Sequence, residues 1–590
     1  MKNKFLWTTI GLLAAMTGCS DVKTLLTTRP SEKMPAYKPV SEVYFPDQTW
    51  TADRRQWFYH SSQGTVLLPY KWFMALEQPK LKVFGTVPRF NDTEYLARFG
   101  FLPGKADYQN PDGLPVGLAK GTVADPVSGQ PMEVVGLTCA ACHTGQLEYQ
   151  GKGVRVDGGS ATIDLSSFQT ELGFAVGFTG KVPFRFGRFA KAVLGDNDTP
   201  EARAKLKEEF EKVLTAGLDE KSYADKGDIY PTAGGFGRTD ALGRIGNFVF
   251  GTELDNKNLR VADAPVSFPP LWNASWLDWV QYNGSIQGPM VRNIGEALGV
   301  RARVNLTNVQ AGLYRSTVNV QNLHEMESQL GGKEPLKGLQ PPPWPEQIFG
   351  PIDRAKAARG KDLYEQHCQK CHLPPTDSPG MQDVQSEFWT AGLDGHRFLK
   401  TNLVPVENIG TDPAAADNWA KLEVITGALN LGSVKGTEGL RVVTDKIAEQ
   451  KYKELNLSAK DQMEWNGYRD DGVRAPRAYR ARLLEGIWAT PPYLHNGSVP
   501  SLYQMLIPAD RRDKVFYLGS REFDPRNVGF ATTNFEGAFE FRNDVQGNSN
   551  AGHEFKNAPL GNGVIGPELS DDERWALIEY LKVIGQPESK

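Results

Sequence analysis

Three stretches of the chain carry apolar residues at helical spacing. In "LSDDERWALIEYLKVIG" (569–585), Trp575, Ile578 and Leu581 recur every three residues, the stripe of an amphipathic helix. Ser570 stands at the N-cap with Glu573 three residues on, a capping box, and Gly585 marks the stop. "DRAKAARGKDLYEQHCQKCH" (353–372) reads as a helix running into a pair of cysteines. "TPEARAKLKEEFEKVLTAG" (199–217) has Thr199 as cap, Pro200 at the first helical position, and Leu206, Phe210, Val213 and Leu214 on one stripe. It predicts a surface helix. The aromatic run "FPPLWNASWLDWVQY" (268–282) reads as core. Residues 5–16 form an apolar run too short to span a bilayer, and no other run is long enough. Residues 20–45 are polar and contain proline, a flexible tether, whereas "GLQPPPWPEQ" (338–347) predicts a stiff junction.

Composition narrows the fold. A chain of 590 residues predicts two or more domains. Sixty glycines and 39 prolines predict long loops and short helices, and 40% hydrophobic residues suffice for a core. The expected fold is mainly α with long irregular loops and little β-structure, in two domains. The first spans 46–337 and the second 350–590, joined by 338–349. The net charge of −4, without a basic block, argues against nucleic acid as a partner. "GGFGRTDALG" (234–243) is glycine-rich, but no strand clearly precedes it and no phosphate-loop Lys-Ser/Thr follows.

The chemistry lies in the cysteines. Of five, four fall in two copies of Cys-x-x-Cys-His: Cys139, Cys142 and His143, then Cys368, Cys371 and His372. This is the attachment signal for haem c. Residues i and i+3 share one helical face, so both thiols reach the two vinyl groups of one porphyrin. The histidine that follows swings under the iron as proximal ligand. A zinc site would need the pairs to converge and leaves the histidines unexplained. A redox disulfide expects a thioredoxin-like βαβ pattern that is not seen. The spacing therefore predicts two covalent haems. The 268–282 aromatics are compatible with a haem wall, or with an electron relay through Trp272, Trp276 or Trp279.

The second axial ligands decide what such haems do, since a closed iron moves electrons and an open one binds dioxygen or peroxide. Besides the proximal pair, the histidines are His60, His324, His367, His396, His495 and His553. His367, beside Cys368, cannot easily reach the far face of its own haem. Met463 and Met505 are the notable methionine alternatives.

The N-terminus agrees with covalent haem attachment outside the cytoplasm. Lys2 and Lys4 form a basic region ahead of the apolar run, so residues 1–18 read as a signal peptide. "MTGC" (16–19) resembles the lipobox of bacterial lipoproteins, which implies cleavage before Cys19, acylation of its sulfur and a tether at 19–45. Ser20 after it implies the outer membrane, facing the periplasm or the cell surface, with the lipid as the link to the membrane.

Two haem c motifs and a late "TPPYLHNGSVPSL" (490–502) resemble the bacterial di-haem cytochrome c peroxidase superfamily. Further stretches resemble its rubber oxygenase branch: "YHSSQGTVLLPYKWFMALEQP" (59–79), "CAACHTGQ" (139–146), "GRTDALGRIGNFVFG" (237–251), "APVSFPPLW" (264–272), "IWATPPYLHNGSVPSL" (487–502) and "NAGHEF" (550–555). The resemblance implies that the C-terminal haem takes His553 as its second ligand, with Met505 and His495 as alternatives. It implies that the N-terminal haem has His143 alone, and that its open face holds dioxygen, with Phe268 as the candidate distal phenylalanine. As in cytochromes c, the first and last helices of the second domain should pack together, with Leu363 and Tyr364 against Trp575, Ile578 and Leu581. In the peroxidases a Ca²⁺ sits between the haem domains, so that ion joins the candidate cofactors.

Three functions follow. The first is a haem-dependent oxygenase cleaving C=C bonds of an apolar substrate with dioxygen. The second is a peroxidase reducing hydrogen peroxide with electrons from a small redox protein, which needs an acid/base group over the iron. The third is an electron-transfer cytochrome with both irons closed.

Overall fold

The computed structural model describes residues 29–80, 82 and 85–586; the signal-peptide and Cys19 expectations lie outside them. Strands are more numerous than the composition suggested. The fold is mixed, 39% helix and 16% strand in several small sheets, which corrects the expectation of a mainly α chain with little β-structure. The strands are short, and several pair with segments far away in the chain, so alternation along the sequence does not mark them.

In chain order, strand β1 (Glu42–Tyr44) leads to helix α1 (Ala52–His60), then β2 (Leu118–Ala124) and β3 (Pro131–Leu137). One helical turn, α2 (Cys139–Cys142), precedes β4 (Thr144–Tyr149) and β5 (Lys152–Asp157). The β2–β3 hairpin pairs antiparallel from Leu118↔Leu137 to Ala124↔Pro131, and Leu68–Pro69 adds on the other edge of β3. β4 and β5 pair antiparallel around Gln150-Gly151, and β1 joins β5 in parallel. Both turn residues have positive φ, 50° and 77°, as a two-residue primed turn requires.

Three helices follow, α3 (Leu165–Lys181), α4 (Arg185–Leu194) and α5 (Pro200–Lys226). α5 starts as the sequence predicts, with Thr199 accepting from the Ala202 N–H and Pro200 at its first position. Leu206, Phe210 and Leu214 are buried, but Val213 is 39% exposed and leaves the expected stripe. The Phe210 ring packs on Trp72, Phe186 and Phe189; each such fully buried side chain contributes about 1.5–3 kcal/mol.

Next come α6 (Pro289–Gly299) and α7 (Val320–Gly331), then α8 (Arg354–His367), α9 (Gln369–His372) and β6 (Asn402–Pro405). The chain closes with α10 (Gly436–Glu454), β7 (Ala478–Ala481) and α11 (Asp571–Leu581). α8 and α11 dock on each other. Gly360 is what lets them close, because a Cβ there would stand 2.0 Å from the Ala576 carbonyl oxygen. The Tyr364 and Tyr580 rings meet at 5.4 Å. Leu363, Tyr364, Ile578 and Leu581 share one core with Leu577. Trp575 is half-buried against the same core and also stacks on Tyr503 at 4.8 Å. The capping box at Ser570 and Glu573 is present. The largest core cluster draws on both sides of the proline-rich stretch 338–347 and includes its Leu339 and Trp344. Among the described residues no helix is long and apolar enough to cross a membrane.

Candidate functional site: two Cys-x-x-Cys-His turns

The first motif is a single turn set between two hairpins. The Thr138 N–H donates to the Gly117 carbonyl at 2.9 Å, and the His143 N–H to the Cys139 carbonyl at 3.0 Å. Gly117 has φ +92°, and a Cβ there would lie 2.3 Å from the Ala141 Cα, so glycine lets the turn seat against the hairpin. Ala140 and Ala141 are buried, while Cys139 and Cys142 keep some accessibility. The turn straddles two cores: Cys139 packs on the cluster holding α6 and α7, Cys142 on the cluster holding α3, α5 and Phe268. His143 Nδ1–H donates to the Pro269 carbonyl at 2.8 Å, which leaves Nε2 free as a ligand. Burial, partly opposed by that bond, pushes the imidazole down to about 4, so it is neutral near pH 7, as metal binding requires.

The second motif ends a helix. α8 runs into Cys368, whose carbonyl accepts the Cys371 and His372 N–H groups at 3.1 and 2.9 Å. Asn402 Nδ2 donates to the Cys371 carbonyl at 2.8 Å, and the Tyr364 hydroxyl to the Leu373 carbonyl at 2.6 Å. His372 Nδ1–H donates to the Arg482 carbonyl at 2.6 Å, so it repeats the arrangement of His143.

His553 faces it. The His372 and His553 ring centroids are 6.0 Å apart, with planes at 71°. A metal–imidazole bond of about 2 Å on each side, plus the half-width of each ring, gives a separation of about 6 Å for two ligands of one metal. His553 has φ +44°, a conformation histidine tolerates better than most residues. Its N–H donates to the Ile409 carbonyl and its carbonyl accepts from Arg512 Nη2, both at 2.9 Å. Its Nδ1 is buried without a hydrogen-bond partner. Burial, helped by the charges of His372 and Arg512, pushes its imidazole down to about 3. A neutral imidazole with an orphaned ring nitrogen, opposite a proximal-type histidine, fits a haem iron between the two.

The other histidines are engaged elsewhere. His60 holds the Leu118 carbonyl and the Asn110 amide through its two ring nitrogens. His324 stacks on Trp465, His396 on Tyr468 and His495 on Tyr479, and His367 meets the Phe555 ring edge-on. Met463 stands 38% exposed and Met505 is packed in the main core. Phe268 lies one residue before Pro269, with its carbonyl accepting from Ser160 Oγ. It is tied to the side of the motif on which His143 is held. All four motif cysteines are free, and burial pushes the Cys139, Cys142 and Cys368 thiols up to about 12. Such thiols are poor redox nucleophiles. Among the described residues no three His, Cys, Asp or Glu side chains gather as a metal cluster, so the two pairs do not converge on a zinc.

A family model described as "RoxA-like, cytochrome c-like" matches residues 478–517. The uncharacterized protein y4iJ of Sinorhizobium fredii (strain NBRC 101917 / NGR234) is 45% identical over 575 residues, covering 94% of this chain and 95% of that protein. This chain belongs to the y4iJ family. The uncharacterized protein y4iM of the same organism is 26% identical over 267 residues, 44% of this chain and 48% of that relative. The RoxA-like segment supplies Arg482, whose carbonyl holds His372. A cytochrome c-like segment implies covalently bound haem c, and in this y4iJ-family chain it suggests a haem-dependent oxidoreductase.

One group of residues in this y4iJ-family chain was missed at the sequence level. Arg292 and Glu296 of α6 are half-buried and lie near enough to Cys139 for their charges to act on its thiol. Glu296 accepts from Gln281 Nε2 at 2.8 Å, and Arg292 pairs with Glu327 of α7. Cys139 Sγ meets Gln63 Oε1 at 3.1 Å. Burial raises the Glu296 carboxyl, with Arg292 opposing. An i,i+4 Arg–Glu pair normally marks a solvated helix face. The available signal was the company it keeps: Met290, Val291, Ile294, Ala297 and Leu298 are all apolar, and all are buried.

Proposed function

We propose that this chain is an exported di-haem c-type oxidoreductase, lipid-anchored at Cys19 in the outer membrane. In this reading the His143 haem activates dioxygen for oxidative C=C cleavage of an apolar substrate, and the His372 haem stores or tunes electrons. The observation that carries it is an asymmetry. His372 has His553 across from it at 6.0 Å, whereas the remaining histidines of the described chain are bonded or stacked elsewhere. A haem held by His372 and His553 would supply one-electron storage, and one held by His143 alone would supply dioxygen or peroxide chemistry.

The chain's own part is positioning. The Pro269 carbonyl keeps the His143 proton on Nδ1 and leaves Nε2 as the unprotonated nitrogen. The apolar cluster of Phe268, Leu137, Ala141 and Phe168 borders the Cys142 side of the turn, which suits exclusion of water and an apolar substrate.

A second reading has its own observation. Glu296, raised by burial, lies by the first motif and accepts from Gln281, which with Asp240, Tyr282 and Tyr479 lines a small cavity of about 20 Å³. A carboxyl of raised pKa is what proton delivery to peroxide needs; the electrons would come from a small redox protein.

The test is product analysis after incubation of the purified protein with polyisoprene in air, without reductant or peroxide. Keto-aldehyde fragments, lost in H143A, are the expected result. Their absence, with peroxide-dependent oxidation of a reduced cytochrome, transfers the assignment to the peroxidase reading.

A further inference from the structure

The two proximal-type histidines are held by the same kind of bond, and one side chain joins the segments that make those bonds. The Pro269 carbonyl holds His143 at 2.8 Å and the Arg482 carbonyl holds His372 at 2.6 Å. Three residues after Pro269, Trp272 Nε1–H donates to the carbonyl of Glu485 at 3.0 Å, and Glu485 lies three residues after Arg482. The path His143–Pro269–Trp272–Glu485–Arg482–His372 is therefore continuous through bonds.

The strut is built into the interior. Trp272 is 5% exposed and Glu485 2%. Gly486 has φ +67°, and a Cβ there would come to 3.0 Å from Trp272 Cζ2 and 2.8 Å from Pro342 Cδ, so glycine admits the indole. The Glu485 carboxylate also accepts from the Thr376 N–H at 2.7 Å, four residues beyond His372. This ties the same segment to the second motif twice. Trp276 serves as contrast: its Nε1–H donates at 2.7 Å to the Gly331 carbonyl at the end of α7 and leads to neither histidine.

We propose that Trp272 is a positioning residue that sets both proximal imidazoles through this single strut. An imidazole whose Nδ1–H is held by a carbonyl is the stronger donor through Nε2. Both residues are buried, so freeing the Glu485 carbonyl leaves a buried acceptor unpaired and loosens both holding segments together. The proposal rests on the reading of both motifs as haem-bearing.

The test is spectroelectrochemical titration of the holoprotein, with haem counted per chain, for W272F and for W276F as control. With both imidazoles weakened as donors, both midpoint potentials should rise in W272F, at two haems per chain, and neither should move in W276F. G486A pushes a methyl against the indole and carries the same test should W272F not fold. Two haems with both potentials unmoved, or only one displaced, would overturn the strut and leave the two-haem reading intact. One haem in the native protein would overturn that reading and the strut with it.

Discussion

The two Cys-x-x-Cys-His turns share their pattern and a backbone carbonyl on the histidine Nδ1, but not their surroundings. The first is wedged between two hairpins with Ala140 and Ala141 buried, and its neighbours are an apolar core on one side and the Arg292–Glu296–Glu327 group on the other. The second ends an amphipathic helix, has Cys371 exposed, and looks across at His553. The local pattern dictates how a porphyrin would be attached and from which side the iron would be held. What lies on the opposite side comes from residues far away in the chain, and the proposed division between a reacting and a storing centre rests on that difference.

The largest effect that would break this contrast is H553A. It should open the second centre: carbon monoxide bound per chain in the reduced protein should rise from one to two, with loss of the low-spin signature of a bis-imidazole centre. An unchanged stoichiometry of two in the native protein would contradict the asymmetry. The two seats can also be broken separately. G117A forces a Cβ to 2.3 Å from the Ala141 backbone at φ +92° and should destabilise by about 3 kcal/mol or more. G360A drives a methyl into the Ala576 carbonyl between α8 and α11 and should lose about 2–3 kcal/mol. Denaturant unfolding gives both values. Spectral perturbation confined to the first centre in G117A and to the second in G360A is the expected pattern. S570A, which removes the α11 cap, should lose about 1 kcal/mol, again by denaturant unfolding.

The smallest effect is a pH dependence. Glu296 is raised in the folded chain by burial. Its contribution to stability is therefore fully present below the unfolded carboxyl pKa and is lost as pH rises through the folded one. Relative to wild type, E296Q should be least stable in acid, and the gap should close as pH rises toward neutrality. Thermal unfolding of both proteins between pH 4 and 8 measures it. A gap that widens with rising pH would remove Glu296 as a buried proton holder.

Much of the helical part was legible. Caps at Thr199 and Ser570 and the stripes of α5 and α11 are local signals, read within one or two turns, and they hold except where tertiary neighbours intervene. Val213 is turned to solvent. The strands were less legible because each is only two to seven residues long, too short for alternation to stand out from glycine-rich loops. The Gln150-Gly151 turn between "TGQLEY" and "KGVRVD" was the readable sign of one of them. At the site, the cysteines and proximal histidines were readable because haem attachment imposes a fixed spacing. Arg292 and Glu296 were not, because charge on a helix looks the same in sequence whether it faces solvent or a buried motif.

The sequence by itself determined the two motif turns, the amphipathic helices and their caps, since each depends on residues within a few positions of one another. The tertiary structure alone decided the partners across space: the Pro269 and Arg482 carbonyls that orient the two imidazoles, the approach of His553 to His372 from 181 positions away, and the Trp272 bond between the two holding segments. The reason is physical. A hydrogen bond or a facing ring between distant segments depends on where loops of no fixed period return to the core, and local spacing carries no information about that return.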